Sequence, residues 1–382
     1  LFTTSKIARV SVINDLVTDG RVKKTCQTLV ECGYEVVLIG RELPGSLPLP
    51  NWPYRAERMK LFFKKGPFFY FFFNLRLLFR LLSSKSDLLV ANDLDTLLPN
   101  YLASKWKKIP LVYDSHELFC EVPELQHSHL KRGIWQQLEK TIVPNLKHCI
   151  TVNDSIAKIF KDRYQVSFAV VRNIPEWNSP KFRSRLELGL PEDKKIVILQ
   201  GAGINIQRGA EEVVEAMQWV EGALLLIIGG GDVWPELHKR VDRFGLRDKV
   251  QLIDKLPKEQ LVAYTMVSDL GLSLDKNTNL NYYYSLPNKL FDYLFAGVPV
   301  LASRLPELEK IISTYVVGDF IENHEVKHIA AKLNELLHDP KLQQYKTNTR
   351  NVQQAYNWPL EKLRLIAVIQ QAEQERQANA RD

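Results

Sequence analysis

Short apolar runs alternate with amphipathic stretches over most of the chain, and that alternation sets the order of elements. Val10–Ile13 precedes a helical pattern over Arg21–Cys32, and Val36–Ile39 follows it. Leu88–Ala91, Leu111–Tyr113, His148–Val152 and Phe168–Val171 continue the series, with helical patterns over Thr96–Lys105 and Ser155–Tyr164. Strands alternating with helices at this spacing predict a parallel, doubly wound sheet. The pattern then restarts: Ile196–Leu199, helix Ala210–Trp219, Leu224–Ile228, helix Pro235–Phe244, Val250–Leu252, and onward to Val298–Ala302. Between the two series lies NIPEWNSPKFRSRLELGLPEDKK, a proline-rich polar stretch that reads as a linker at residues 173–194. The expected class is α/β, with two Rossmann-like parallel-sheet domains, residues 1–172 and 195–357, facing across a cleft. The tail from Trp358 to about Gln377 reads as a charged amphipathic helix, and residues 358–382 are expected to pack back on the first domain.

Composition agrees with that size of core. A chain of 382 residues is long for one core, and 45% hydrophobic with 25% charged residues is a globular balance. Cys26, Cys32, Cys120 and Cys149 form no CxxC and no metal-ligand spacing, so they read as reduced, mostly buried thiols. No run of about 18 uncharged apolar residues exists, and Leu1–Ser5 shows no signal-peptide pattern, so no membrane span is expected.

Charge changes the picture more. The formal net charge is +7, and residues 1–172 hold 25 Lys/Arg against 16 Asp/Glu. Between Arg55 and Lys85 eight cations face one acid, Glu57. This segment contains LFFKKGPFFYFFFNLRLLFRLL, in which Lys64, Lys65, Arg76 and Arg80 punctuate a phenylalanine-rich run. Such a stretch suits the headgroup boundary of an anionic membrane. The plainer reading is a core helix with snorkelling cations. A continuous greasy block does not supply the spaced stacking platforms that nucleic acid uses, so no nucleic acid is expected.

Candidate chemistry sits at strand ends. LQGAGINIQRG follows one apolar run, where Gly201 and Gly203 let the backbone approach a ligand and Arg208 offers charge to a phosphate. LLLIIGGGDVW supplies Gly229 and Gly230 at a second strand end, a place where side chains would clash with a ligand. Neither stretch is a GxGxxG or a P-loop, so neither NAD binding nor NTP hydrolysis is read here. YDSHELFCEVPE puts Asp114, Ser115, His116 and Glu117 at a strand end, where His116 could position a substrate hydroxyl or exchange a proton with it. Alternatively Asp114 or Ser115 simply caps a helix. ANDLDTLLP contains Asp93-Leu94-Asp95, formally a metal-binding DxD, but Asp95 before Thr96 also reads as a helix N-cap, and no metal is assigned. In SLPNKLFDYLFAGVPVLAS the first-turn amides and Lys289 can meet a diphosphate, and Asp292 can accept hydrogen bonds from a ribose diol.

Together these stretches resemble the GT-B glycosyltransferases, in particular family 4 (glycosyl transferases group 1), over nearly the whole chain. DGRVKKTCQTLVECGYEVVLIG resembles the family's first strand-loop-helix-strand unit, LVYDSHE an acceptor-domain motif, and PNKLFDYLFAGVPVLAS the donor-site motif. The resemblance implies that Asp292 stands where the family has a ribose-binding Glu, with Asn288, Lys289 and Leu290 contacting the diphosphate largely through backbone. It implies Arg208 in place of a phosphate-binding Lys, and His116 as a contact to the donor sugar. Gly229, Gly230, Lys255 and Leu256 would lie near the base, and Asp19, Arg21, Asp114 and Glu117 on the acceptor side. Tyr284 stands where the family has the first Glu of its E-x7-E pair, and Asp275 would stand in for that sugar-contacting acid.

The expected activity is therefore a retaining, metal-independent glycosyltransferase using a UDP- or GDP-sugar and no cofactor, with His116, Arg208 and Asp275 as catalytic residues. The acceptor is expected to be a glycan or lipid-linked glycan of surface-polysaccharide or glycolipid synthesis. The enzyme is expected in the cytoplasm, peripheral at the inner face of the membrane. Two alternatives stay open: a UDP-sugar epimerase of the same fold, and a non-catalytic scaffold with a degenerate donor site.

Overall fold

The computed structural model describes residues 6–126, 128–177 and 180–379. The segment Leu1–Ser5 and the last residues of the 358–382 tail lie outside the described residues. The chain forms two compact units, residues 1–173 with 359–382, and residues 174–358.

The first unit contains β1 (Lys6–Ser11), α1 (Gly20–Glu31), β2 (Tyr34–Arg41), β3 (Arg55–Met59), α2 (Gly66–Ser83), β4 (Leu88–Asn92) and α3 (Leu94–Lys107). It continues through β5 (Leu111–Ser115), α4 (Pro123–Gln126), α5 (His129–Ile142), β6 (His148–Thr151), α6 (Asp154–Tyr164) and β7 (Ala169–Val170). The described strands form one sheet in the order β3-β2-β1-β4-β5-β6-β7, parallel at every pairing. The strands β4 and β5 are buried at every position, which is why each opens on an apolar run, Leu88–Ala91 and Leu111–Tyr113, rather than an alternating one.

The basic aromatic segment is not one helix. Residues 55–59 form the edge strand β3, paired with β2, and the helix begins only at Gly66. Phe69, Phe73, Leu77 and Leu81 bury one stripe of α2 at intervals of four residues. Each such side chain contributes roughly 1.5–3 kcal/mol on burial, so this stripe is enough to seat the helix. The opposite side remains exposed: Phe68, Phe71 and Phe79 keep 60–64% of their surface.

The second unit contains β8 (Lys195–Gly201), α7 (Ala210–Ala216), β9 (Ala223–Gly229), α8 (Trp234–Arg243), β10 (Val250–Asp254), α9 (Lys258–Met266) and β11 (Leu270–Ser273). It continues through α10 (Leu280–Tyr283), α11 (Asn288–Phe295), β12 (Val300–Ser303), α12 (Pro306–Tyr315), β13 (Gly318–Ile321), α13 (Val326–His338) and α14 (Lys341–Ala355). Its sheet runs β10-β9-β8-β11-β12-β13, again parallel. Ile174, Leu188 and Leu190 are buried in this unit's core, so part of the proline-rich stretch is packed structure. Tyr293 lies flat against β11, where a Cβ on Gly271 would sit 2.5 Å from its ring. Only glycine leaves room for that approach.

Helix α15 (Trp358–Asn379) closes the chain. Its Glu361 accepts from the backbone N–H of Arg172 at 2.8 Å, and Glu375 meets His148 at 2.7 Å. Lys6–Glu373 and Asp87–Arg376 are further ion pairs along the same helix.

Candidate active site

In an open parallel sheet, the strands flanking the reversal of winding direction leave a crevice at their carboxyl ends. In the second unit those strands are β8 and β11. Arg208 lies in the loop after β8 and Asp275 just after β11, and they meet across the reversal with Arg208 Nη1 2.9 Å from Asp275 Oδ1. Lys289, from the first turn of α11, puts Nζ 3.1 Å from Asp275 Oδ2. Ser273 Oγ donates to the same oxygen at 3.4 Å, and Asp275 is 0% exposed. Burial opposes the Asp275 charge, but Lys289 and Arg208 outweigh it and hold the carboxyl below the usual carboxylate range. Tyr282 lies under the guanidinium, 4.8 Å from centroid to Cζ, and Arg208 Nε is buried without a hydrogen bond. The three groups carry one net positive charge, so the arrangement can take an anion.

Asp275 was expected to touch a sugar. The fold instead buries it as the shared counter-ion of two cations, with both oxygens occupied. Lys289 turns its side chain inward to Asp275, so it contributes charge and not only a backbone amide. Leu290 departs further from expectation: its amide donates to Pro287 O at 3.1 Å and its side chain is fully buried. Asn288 is exposed at the start of α11, where no side chain caps the first turn.

Asp292 lies one turn into α11, half-buried, with Gln200 Nε2 3.5 Å from Oδ2. Gln200 is the last buried side chain of β8, and its Oε1 accepts from Thr265 at 2.7 Å. The adjacent Tyr293 hydroxyl accepts from the Gln200 N–H at 3.0 Å and donates to Leu272 O at 3.3 Å. Thus α11, which carries both Lys289 and Asp292, is tied to both strands that flank the reversal.

The glycines divide into two kinds. A Cβ on Gly229 would sit 1.8 Å from Gly201 O, at a φ of 150°, and one on Gly231 would sit 2.1 Å from Ile204 O. These two are required by the protein's own backbone, because the two loops are laced by Ile204 N–H to Gly230 O at 2.8 Å. Gly201 and Gly203 meet nothing closer than 3.6 Å, so packing does not require them. Gly230 lies under the exposed Lys255, while Leu256 packs against the core. Tyr284 is half-buried with its ring 4.7 Å from that of Tyr283.

The first unit gathers a second cluster at the ends of β4 and β5. Arg21 grips Asp114 with both arms, Nε to Oδ2 at 2.9 Å and Nη2 to Oδ1 at 2.6 Å, and donates to Val171 O at 2.6 Å. Burial raises the Asp114 carboxyl, but Arg21 and His116 more than reverse this and leave it far below the usual range. Asp19 caps α1, accepting from Val22 N–H at 3.1 Å. Glu117 is half-buried, and its carbonyl accepts from Ser115 Oγ at 2.9 Å. Asp114 and Ser115 end a buried strand and cap no helix.

Asp93, set aside on sequence, belongs to this cluster. It holds the N-cap position of α3 without making a cap, and its carboxylate turns to His116 instead. Asp95 is not a cap either: it is buried, its Oδ1 lacks a partner, and burial reinforced by Asp93 pushes its carboxyl well above the usual range. Among the described residues no group of three or more His, Cys, Asp or Glu is arranged to hold a metal ion. Gln200 and Tyr282 were missed, and of the two only Gln200 had a signal, as a polar residue ending an apolar run before glycine.

Two family models match the chain: Glycosyltransferase Family 4 over residues 21–176 and Glycosyl transferases group 1 over residues 181–356. A lipopolysaccharide core biosynthesis glycosyltransferase LpsD of Rhizobium meliloti is 25% identical over 196 residues, 51% of this chain and 54% of the relative. A chitobiosyldiphosphodolichol beta-mannosyltransferase of Candida albicans is 21% identical over 262 residues, 62% and 56% of the two chains. The matches thus span about half the length of these curated relatives. Among solved structures, the sucrose-phosphate synthase of Thermosynechococcus elongatus superposes with a TM-score of 0.80 at 17% identity, covering 96% and 98% of the chains. HepE of Anabaena, in complex with UDP and glucose, gives 0.74 at 14%, covering 96% and 100%. These likenesses are of fold.

Proposed function

The chain belongs to the group 1, family 4 glycosyltransferases of GT-B fold, and we propose that it transfers a sugar from a UDP- or GDP-sugar to a glycan or lipid-linked acceptor. One observation carries the reading: Arg208 and Lys289 meet on Asp275 at the winding reversal of the second unit, and Asp292 lies one turn along α11 from Lys289. A carboxylate for a ribose diol and a net positive charge for a diphosphate are the two demands of such a donor.

The proposed reaction retains configuration at the anomeric carbon and uses no metal. The bond from that carbon to the diphosphate oxygen breaks, and a bond to the acceptor hydroxyl oxygen forms on the same face. The hydroxyl proton passes to the departing diphosphate. Arg208 and Lys289 stabilise the charge that grows on the leaving group, and the rest of the protein's contribution is positioning. The test is a panel of UDP- and GDP-sugars, scored by thermal shift and by transfer of radiolabel to lipid and glycan acceptors. Binding of none of them would overturn the reading.

The proposed acceptor is lipid-linked, and the proposed location is the anionic inner face of a membrane. Support comes from α2, α3 and α5, which neighbour one another, with Tyr70 against Trp135 at 5.3 Å. Their exposed sides carry Phe68, Phe71 and Phe79, then Leu102 and Trp106, then Leu130, the last two 82% and 77% exposed. Helix α2 has no acid, and Asp95 and Glu139, the acids of α3 and α5, are both buried. An apolar surface whose exposed charges are all positive matches an anionic headgroup layer. No helix among the described residues is long and apolar enough to cross a membrane.

A further inference from the structure

Asp93 is placed where a glycine would be relaxed. Its backbone has φ 59° and ψ 168°, a region that side chains rarely occupy. An aspartate kept there points to a use for its carboxylate. That carboxylate holds one residue twice: Oδ1 accepts from the His116 N–H at 2.8 Å, and Oδ2 lies 3.1 Å from His116 Nδ1. The other ring nitrogen, Nε2, is buried 3.5 Å from Asp114 Oδ2.

We infer that Asp93 is a positioning residue that fixes His116 as an imidazolium, so that His116 serves as a stationary positive charge and not as a proton-exchanging base. The geometry carries this, because Nδ1 lies 3.1 Å from Asp93 Oδ2, and Nε2, which makes no hydrogen bond, has the Asp114 carboxylate facing it at 3.5 Å. The surrounding charges make Asp93 the deciding one. From α1, Arg21 already neutralises Asp114 through two hydrogen bonds. From α3, burial and then Asp93 push the Asp95 carboxyl well above its usual range. Glu117, after β5, and Arg41, from β2, act on Asp95 from opposite signs. Burial alone would lower the His116 value, and Asp93 followed by Asp114 drives it well above the ordinary imidazole value. The ring keeps 17% of its surface open, through which the charge acts on an electron-rich ligand oxygen.

The ion pair is fully present below the unfolded imidazole value and is lost as pH rises through the raised folded value. Histidine-labelled NMR of the intact chain reads this without substrate, with His116 identified by its loss in His116→Gln. The expected result is a doubly protonated His116 at pH 7 and a midpoint that falls by about 1–3 pH units in Asp93→Asn. Asp93→Gly relaxes the backbone while removing the same carboxylate, and should shift the midpoint alike even if Asp93→Asn folds poorly. A neutral His116 at pH 7 in the wild type, or an unmoved midpoint in a folded variant, would overturn the inference. Neither outcome bears on the glycosyltransferase reading, which stands or falls with the nucleotide-sugar panel.

Discussion

Lys289 and Arg208 reach the same carboxylate, Asp275, from opposite sides: Nζ at 3.1 Å from one oxygen and Nη1 at 2.9 Å from the other. They arrive from separate elements, the start of α11 and the loop after β8. Asp275 therefore couples donor-site charge to the packing of the second unit. In Asp275→Asn the two cations lose their buried counter-ion, and the expected cost is about 3–5 kcal/mol of unfolding free energy. The Asp275 value is depressed in the folded state, so its contribution is present above the unfolded carboxyl value of about 4 and fades as pH falls through the depressed folded value. Urea unfolding at pH 7 and pH 3 should show a wild-type advantage that narrows in acid. An equal advantage at both would contradict the ion-pair account.

Arg208→Ala removes one of the two cations that the proposed reaction uses to stabilise the leaving diphosphate. Turnover should fall by more than substrate affinity, because leaving-group charge is larger in the transition state than in the ground state. Steady-state kinetics with a saturating acceptor separate the two. A change confined to KM would remove Arg208 from the chemistry.

Asp292→Asn keeps the shape of the side chain and the contact distance to Gln200. Nucleotide-sugar affinity should weaken by about 1.5–3 kcal/mol, the range for hydrogen bonds to charged groups, with melting unchanged. Calorimetry on both proteins checks it, and equal affinities would place the ribose elsewhere.

The two kinds of glycine give a contrast in one assay. Gly229→Ala forces a Cβ to within 1.8 Å of Gly201 O at a φ of 150°. Backbone strain and overpacking each cost about 1–3 kcal/mol, so a marked drop in melting temperature is expected. Gly203→Ala makes only ordinary contact, 3.6 Å from the Asn205 side chain, and should melt like the wild type, so any loss it shows should be in nucleotide binding.

For the proposed membrane face, Lys64, Lys65 and Arg76 are the cations to replace, because Arg80 is already engaged with Glu57 at 2.9 Å. Replacing the three with Gln should cut binding to anionic vesicles by about 3 kcal/mol in low salt, near 1 kcal/mol for each cation, and wild-type binding should itself weaken as salt rises. Trp106 fluorescence should be quenched by brominated lipids if α3 shares the contact. Wild-type protein that fails to sediment with anionic vesicles in low salt would remove the membrane from the account.

What the sequence determined is what one-dimensional patterning can carry. Parallel strands buried on both faces are largely apolar, so the runs Leu88–Ala91, Leu111–Tyr113 and Leu224–Ile228 announce themselves, and with them the two Rossmann-like sheets. The edge strand Arg55–Met59 did not, because its side chains are largely half-exposed and charged and read as part of a basic patch. The polar residues at strand ends were legible for a related reason, since a polar residue closing an apolar run is visible in the sequence. Partners were not. Asp275 and Lys289 are 14 positions apart, Asp93 and His116 are 23, and Arg21 and Asp114 are 93. Whether a carboxylate faces a substrate, neutralises an arginine or fixes an imidazolium depends on which loops the sheet order brings together at its reversal. That order is set by packing across the sheet, so only the tertiary structure decided which charges each site residue faces.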